Sequence, residues 1–192
     1  TLNVSEWLSP KDGKTPCVVV SVAHLDDEER ALVLGVLLEE VLSWVRTLPG
    51  SSRLQALVVF DEIYGFMPPH PANPPTKRPL VALMKQARAF GVGVLVATQN
   101  PMDLDYRALG NAGFWCIGRL QTEADCERVL DGLSSDEQVD TAELAKLVKR
   151  LTPRWFVMRD VHSKAGTVLL QARTTMSLLR GPMTRGEIRR GV

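Results

Sequence analysis

The chain has 192 residues, 45% of them hydrophobic and 23% charged, with a formal net charge of +1. That length buries one sizeable core, and the composition is that of an ordinary soluble globular domain. No stretch reaches the roughly 18 consecutive apolar residues that a membrane-crossing helix needs, which excludes a helical membrane protein. The chain begins at Thr1 without a signal-peptide pattern, which points to a piece of a larger protein. Cys17, Cys116 and Cys126 stand in apolar or helical contexts without paired spacing. Neither a disulfide framework nor a zinc site is expected, and the expected location is a reducing cytoplasm.

Charge is unevenly spread. Residues 1–140 hold 12 Lys and Arg against 19 Asp and Glu, a net −7; residues 141–192 hold 11 against 3, a net +8. The basic quarter suits an anion or an acidic neighbouring subunit, and equally a solvated basic face.

In chain order, residues 17–22 (CVVVSV) form a short, β-branched apolar run that predicts a buried strand. Asp26 and Asp27 open a helix to about Arg46, with apolar residues at 31, 34, 38, 41, 42 and 45 and a stop at Pro49-Gly50. A second buried strand follows at 54–61 (LQALVVFD). Residues 67–79 hold six prolines, which predicts a mobile surface loop, partly polyproline. An amphipathic helix at 80–90 leads to a third buried strand at 91–97 (GVGVLVA), and a fourth is expected at 114–118. Helices at 122–133, capped by Thr122, and at 141–150 precede two strands, 155–159 and 167–171, joined by a turn at 163–166. From Ser177 the sequence has little periodicity and reads as an arm. Strands alternating with helices predict an α/β layered fold with a mostly parallel sheet. Residues 1–161 are the expected main unit, and 162–192 a terminal hairpin strand and arm.

The sharpest chemical signal is Leu57-Val58-Val59-Phe60-Asp61-Glu62. Four apolar residues bury a strand, and two carboxylates emerge at its end, the edge where parallel sheets place ligands. In a nucleotide hydrolase the first carboxylate holds Mg²⁺, usually through water, and the second polarises the attacking water. A strand that simply ends in solvent-facing acids gives the same local pattern. Some 35 residues on, a second buried strand ends in Thr98-Gln99-Asn100-Pro101. The Gln99 amide can donate to a phosphate oxygen and accept from water, as a sensor beside the carboxylates does. Arg88 lies between the two strands on the polar face of its helix. Its guanidinium suits a neighbour's γ-phosphate, or else only the helix terminus and solvent. His24, His70 and His162 lack ligand spacing.

Together LVVFDE at 57–62, KQARAFGVGVLVATQNPMDLD at 85–105 and SLLRGPMTRGEI at 177–188 resemble the HerA/FtsK-like branch of RecA-type motor ATPases, in particular the bacterial HerA-like ATP-binding proteins. The resemblance runs from about Lys11 over nearly the whole chain. It implies a three-layer RecA-like nucleotide-hydrolase fold and hexameric rings that hydrolyse ATP with Mg²⁺ to move DNA. By it Asp61 is the Mg²⁺ residue, Glu62 the catalytic glutamate, Gln99 the sensor and Arg88 a trans-acting arginine finger. Arg119 and Arg173 are further arginines that would face phosphate.

One departure is large. The family needs GxxxxGK[ST], a glycine-rich loop before a helix, whose N–H groups and lysine cradle the phosphates. The one GKT here, Gly13-Lys14-Thr15, has Leu8 where the first glycine belongs, and Pro16 and a strand-like run where the helix belongs. It is a decoy. The resemblance therefore implies a phosphate loop upstream of Thr1, and an isolated chain that binds no ATP or Mg²⁺ and does not hydrolyse ATP. It also puts the missing loop's strand between the strands at 92–97 and 114–118, whose edges its absence would expose, to be closed by collapse, another chain or the terminal arm. Two other readings stand beside a motor fragment: an interaction subunit without a phosphate loop that docks on an active motor and lends Arg88, and a plain α/β scaffold binding metal at the acidic strand end.

Overall fold

The computed structural model describes residues 2–105, 110–133, 141–163, 165–176, 178, 181 and 183–191. In chain order they form α1 (Val4–Trp7), α2 (Asp27–Thr47), β1 (Ser51–Phe60), α3 (Lys77–Gln86), β2 (Phe90–Val96), β3 (Phe114–Ile117), α4 (Glu123–Leu133), α5 (Thr141–Arg150), β4 (Trp155–Asp160), β5 (Thr167–Gln171) and α6 (Arg185–Gly191). The architecture is mixed α/β. β1 and β2 pair in parallel, and β3, β4 and β5 form a separate antiparallel sheet in that order.

Helices α2, α4 and α6 begin where the sequence supplies a side-chain cap. Asp26 accepts from the Glu29 N–H at 2.8 Å while Glu29 reaches back to the Asp26 N–H at 3.2 Å, a reciprocal box that satisfies two otherwise orphaned donors of α2. Thr122 caps α4 by accepting from the Asp125 N–H at 3.1 Å. Thr184 and Glu187 make the same kind of box at α6, with bonds of 2.8 and 3.4 Å. A helix therefore stands where weak periodicity predicts only an arm. Ser177, Leu179, Arg180 and Pro182 of the same segment lie outside the described residues.

The larger core lies between one face of the β1–β2 pair and helices α2 and α3. Leu38, Leu42 and Val45 of α2, Leu80 and Leu83 of α3, and Ile63, Met67, Ala87, Val92 and Leu104 are buried together. Ala56, Val58, Phe60, Val94 and Val96 pack against them from the sheet. This one-sided cover is what stabilises a two-stranded pair that would be marginal by itself. The opposite face stays bare: Leu57 and Val59 of β1 and Leu95 of β2 are about half exposed or more. Both strands read from sequence as wholly buried; only one face of each is covered. A smaller core of Ile117, Val129, Leu144, Val148, Leu151 and Val157 joins α4 and α5 to the antiparallel sheet. Trp115 packs against both cores, and its indole N–H donates to the Ala112 carbonyl at 3.0 Å.

Three further sequence expectations are corrected. Residues 17–22 form no strand; they run as irregular chain, with Val19 84% exposed. Composition makes a segment strand-prone, but a strand exists only where a neighbour supplies ladder hydrogen bonds, and among the described residues β1 is bonded to β2 alone. The proline-rich loop is anchored at both ends, in contrast to the mobile surface loop expected. Residues 70–73 are exposed, yet Met67 and Thr76 are fully buried. The Thr76 hydroxyl donates to the Phe66 carbonyl at 2.6 Å, and Lys77 Nζ meets Asp105 Oδ2 at 2.8 Å and the Ala72 carbonyl at 3.1 Å. The loop's far end lies on α2, where Pro75 approaches Gly35. The helix expected at 80–90 starts earlier, at Lys77, and ends in a 3₁₀ turn over Ala87–Ala89.

The start of β1 carries an irregularity between Ser51 and Ala56. Gly91 makes it possible: its φ is +69°, and a Cβ there would overlap the Arg53 carbonyl oxygen.

Three stability outcomes follow from these contacts, each measurable by urea unfolding. Gly91→Ala combines a left-handed backbone with overlap and should cost about 3 kcal/mol. Gly35→Ala should gain about 1 kcal/mol of helix propensity, yet it sets a Cβ 2.7 Å from Pro75 Cβ, so a net loss of about 1 kcal/mol is expected. Lys77→Met removes the cation paired with the buried Asp105 carboxylate and should cost about 2 kcal/mol or more.

Candidate functional site at the shared edge of β1 and β2

Parallel pairing fixes the geometry. Phe60 lies opposite Val96, so both strands end on one edge. The bonding continues past the strand ends: the Ala97 N–H donates to the Phe60 carbonyl at 3.0 Å, and the Ile63 N–H donates to the Ala97 carbonyl at 2.9 Å. Asp61 and Glu62 are held between these two bonds, next to Thr98 and Gln99. Asp61, Glu62 and Gln99 are all exposed. The acidic pair and the amide expected from sequence are thus brought to one rim and open to solvent.

Glu62 adopts φ +55°, the left-handed region that a non-glycine residue enters at a cost of about 1–2 kcal/mol. The fully buried Ile63 side chain directly after it, together with the Ile63–Ala97 bond, keeps the chain in that turn. Strain of this kind persists only where the surroundings over-determine it. Thr98 Oγ1 lies 3.3 Å from Glu62 Oε1 and so links the two loops side chain to side chain. Sequence spacing does not single out Thr98; its signal is a hydroxyl between a buried strand and the Gln99 amide. Beyond it, Asn100 caps the 3₁₀ turn Pro101–Asp103 by accepting from the Met102 N–H at 3.1 Å. The Asp105 N–H then donates to the Met67 carbonyl at 2.9 Å, tying the second loop back to the first.

The three arginines lie elsewhere. Arg88 is exposed in the 3₁₀ turn just before β2, at the strand's opposite end. A seven-residue strand separates it from Gln99 by on the order of 20 Å, so Arg88 and the carboxylates of one chain do not meet. Arg119 follows β3 and Arg173 follows β5; both are exposed. Because β4 runs antiparallel to both neighbours, these two arginines share one edge of the second sheet. Arg154 stands at the same edge, its guanidinium donating to Thr174 Oγ1 at 3.0 Å and the Ala172 carbonyl at 2.8 Å.

The rim suits Mg²⁺ held largely through water: Asp61 offers a free carboxylate, but no closed set of protein oxygens surrounds it. Among the described residues no group of three or more His, Cys, Asp and Glu is gathered for a metal. Burial raises the pKa of the Cys116 and Cys126 thiols, which disfavours the thiolates that soft metals bind. Gly13-Lys14-Thr15 sits in a tight turn in which the Lys14 N–H donates to the Lys11 carbonyl at 2.9 Å, followed by irregular chain. No helix begins directly behind it, so the loop-to-helix arrangement that cradles phosphate is not formed there.

No protein-family model and no curated protein matches the chain. Solved structures do. The genome packaging NTPase B204 of Sulfolobus turreted icosahedral virus 2 in complex with ATP-gammaS is 18% identical with a TM-score of 0.56, over 91% of this chain and 73% of that one. Its sulfate complex is 17% identical with a TM-score of 0.60 over the same shares. The DNA-packaging ATPase B204 of Sulfolobus Turreted Icosahedral Virus is 20% identical with a TM-score of 0.56, over 90% and 72%. No described helix is long and apolar enough to cross a membrane. At these identities the likeness is one of fold: the chain shares the α/β architecture of the B204 structures, an incomplete RecA-like fold built on the parallel β1–β2 pair.

Proposed function

We propose that this chain is the carboxylate-bearing part of a HerA/FtsK-like ATP-driven ring motor. Asp61 holds Mg²⁺, Glu62 polarises the attacking water and Gln99 senses the γ-phosphate. The observation that carries this reading is the common rim of β1 and β2, where an acidic pair and an amide stand together around the Thr98–Glu62 contact. Mg²⁺ would neutralise charge developing on the transferred phosphoryl group; this chain's residues orient the metal and the water.

The position of Arg88 supports a role in trans. It lies at the far end of β2 from its own carboxylates, so only another subunit could receive it. Ring assembly suits that division of labour, and a hexamer is the form the family resemblance implies. Arg119 and Arg173 are the remaining candidates to face phosphate. The phosphate-binding loop lies outside residues 1–192 on this reading. Two features suit a missing layer: the bare apolar face of β1–β2, and the lack of any described strand pairing with the free edges of β2 and β3. The structural neighbours package genomes, which favours DNA as the polymer moved.

A second reading draws on the same placement of Arg88: an interaction subunit without a phosphate loop docks on an active motor and lends that arginine. The two separate on the parent protein. An upstream GxxxxGK[ST] in the same reading frame supports the motor, and a native start near Thr1 supports the subunit.

Calorimetric titration of ATP with Mg²⁺ into residues 1–192 and into a longer form carrying the phosphate loop tests the proposal. Binding and turnover are expected in the longer form only, with Glu62→Gln lowering kcat there at least about a hundredfold. Turnover by residues 1–192 that Glu62→Gln abolishes would contradict it. Arg88→Ala should lower turnover in the assembled ring, and adding an equal amount of a Glu62→Gln subunit should restore part of it; equal activity with and without Arg88 would remove the trans role.

A further inference from the structure

The Thr98 hydroxyl stands among three groups. It accepts from the Asn100 N–H at 3.1 Å, and two acceptors lie within reach of its single proton: Glu62 Oε1 at 3.3 Å and the Asn100 carbonyl at 3.2 Å. A hydroxyl donates once, so the two are alternatives. Both distances exceed a tight O–H···O bond, as a proton shared between two acceptors gives.

Glu62 needs such a partner. Its side chain is exposed, has three rotatable bonds and sits on a left-handed backbone. Thr98 is well suited to supply the restraint. It is half-buried and β-branched, hence stiff at χ1, and its main chain directly follows the doubly bonded Ala97. Both ends of the contact are therefore held by the same pair of main-chain hydrogen bonds, between Phe60 and Ala97 and between Ala97 and Ile63.

We propose that Thr98 is a positioning residue for Glu62, acting as a latch. The hydroxyl holds Oε1 and leaves Oε2 free to face a water. This rests on the reading of Glu62 as the water-polarising carboxylate.

The test compares wild type, Thr98→Val, Thr98→Ser, Glu62→Gln and the Thr98→Val/Glu62→Gln double variant in the ATP-hydrolysing form of the protein. Thr98→Val keeps the shape and removes the donor. It should lower kcat about tenfold at unchanged KM, while Thr98→Ser stays within about twofold of wild type. The double variant should be no slower than Glu62→Gln, because the effect runs through that carboxylate. Wild-type turnover in Thr98→Val, or Thr98→Ser as slow as Thr98→Val, overturns the proposal. A second readout does not depend on turnover: NMR side-chain couplings of Glu62 in residues 1–192 should report one χ1 rotamer in wild type and Thr98→Ser and an average in Thr98→Val. An unchanged rotamer in Thr98→Val overturns the latch. Wild-type turnover in Glu62→Gln would instead defeat the catalytic reading of Glu62, with the couplings still deciding whether Thr98 holds it.

Discussion

Everything at the candidate site depends on the parallel hydrogen bonding of β1 to β2. Parallel strands finish on the same side, and here the ladder runs two bonds beyond the strands, from Ala97 to Phe60 and from Ile63 to Ala97. Without those bonds Asp61-Glu62 and Thr98-Gln99 would be two unrelated loops. With them, four polar residues share one rim, and Glu62 is kept in a backbone conformation it would not choose. The strain and the site have the same cause.

The loops that carry the rim are braced from behind. The Met67 carbonyl accepts from Asp105, Lys77 pairs with Asp105, and Thr76 bonds back to Phe66. A proline-rich segment that looks idle in sequence therefore serves as a strap, closing on the loop after β2 at one end and on Gly35 of α2 at the other. Arg128 of α4 extends the bracing, its Nη2 donating to the Leu104 carbonyl at 2.7 Å. That bond ties the helical layer of the second sheet to the first. A rim open to solvent can thus stand on a braced scaffold; among the described residues, Arg128 Nε is the buried side-chain polar atom left without a hydrogen-bond partner.

Energetically the molecule is lopsided. One face of the parallel pair is covered by α2 and α3; the other leaves Leu57, Val59 and Leu95 in water. Each would gain on the order of 1 kcal/mol or more from burial. The irregular run at 17–22 adds a further exposed set, Val18, Val19 and Val20. Such surface would gain stability from cover, by another segment or another chain.

The sequence by itself determined the parts governed by local chemistry. Periodicity and capping identified α2, α4 and α5, and runs of apolar residues identified β1 to β5, because caps and amphipathic faces are written within a few residues of chain. Asp61, Glu62 and Gln99 at the strand ends were legible for the same reason: an apolar run that stops at Asp61-Glu62 and another that stops at Thr98-Gln99 announce two strand termini. Tertiary structure alone decided what depends on a partner. Residues 17–22 have strand composition but no ladder to join, Thr98 meets Glu62 only because two strands 36 positions apart lie side by side, and Arg88 falls at the wrong end of β2 to reach its own carboxylates. Hydrogen bonds between strands are long-range in sequence, so which segment finds a neighbour, and which side chains then face each other, is fixed only when the whole chain has folded.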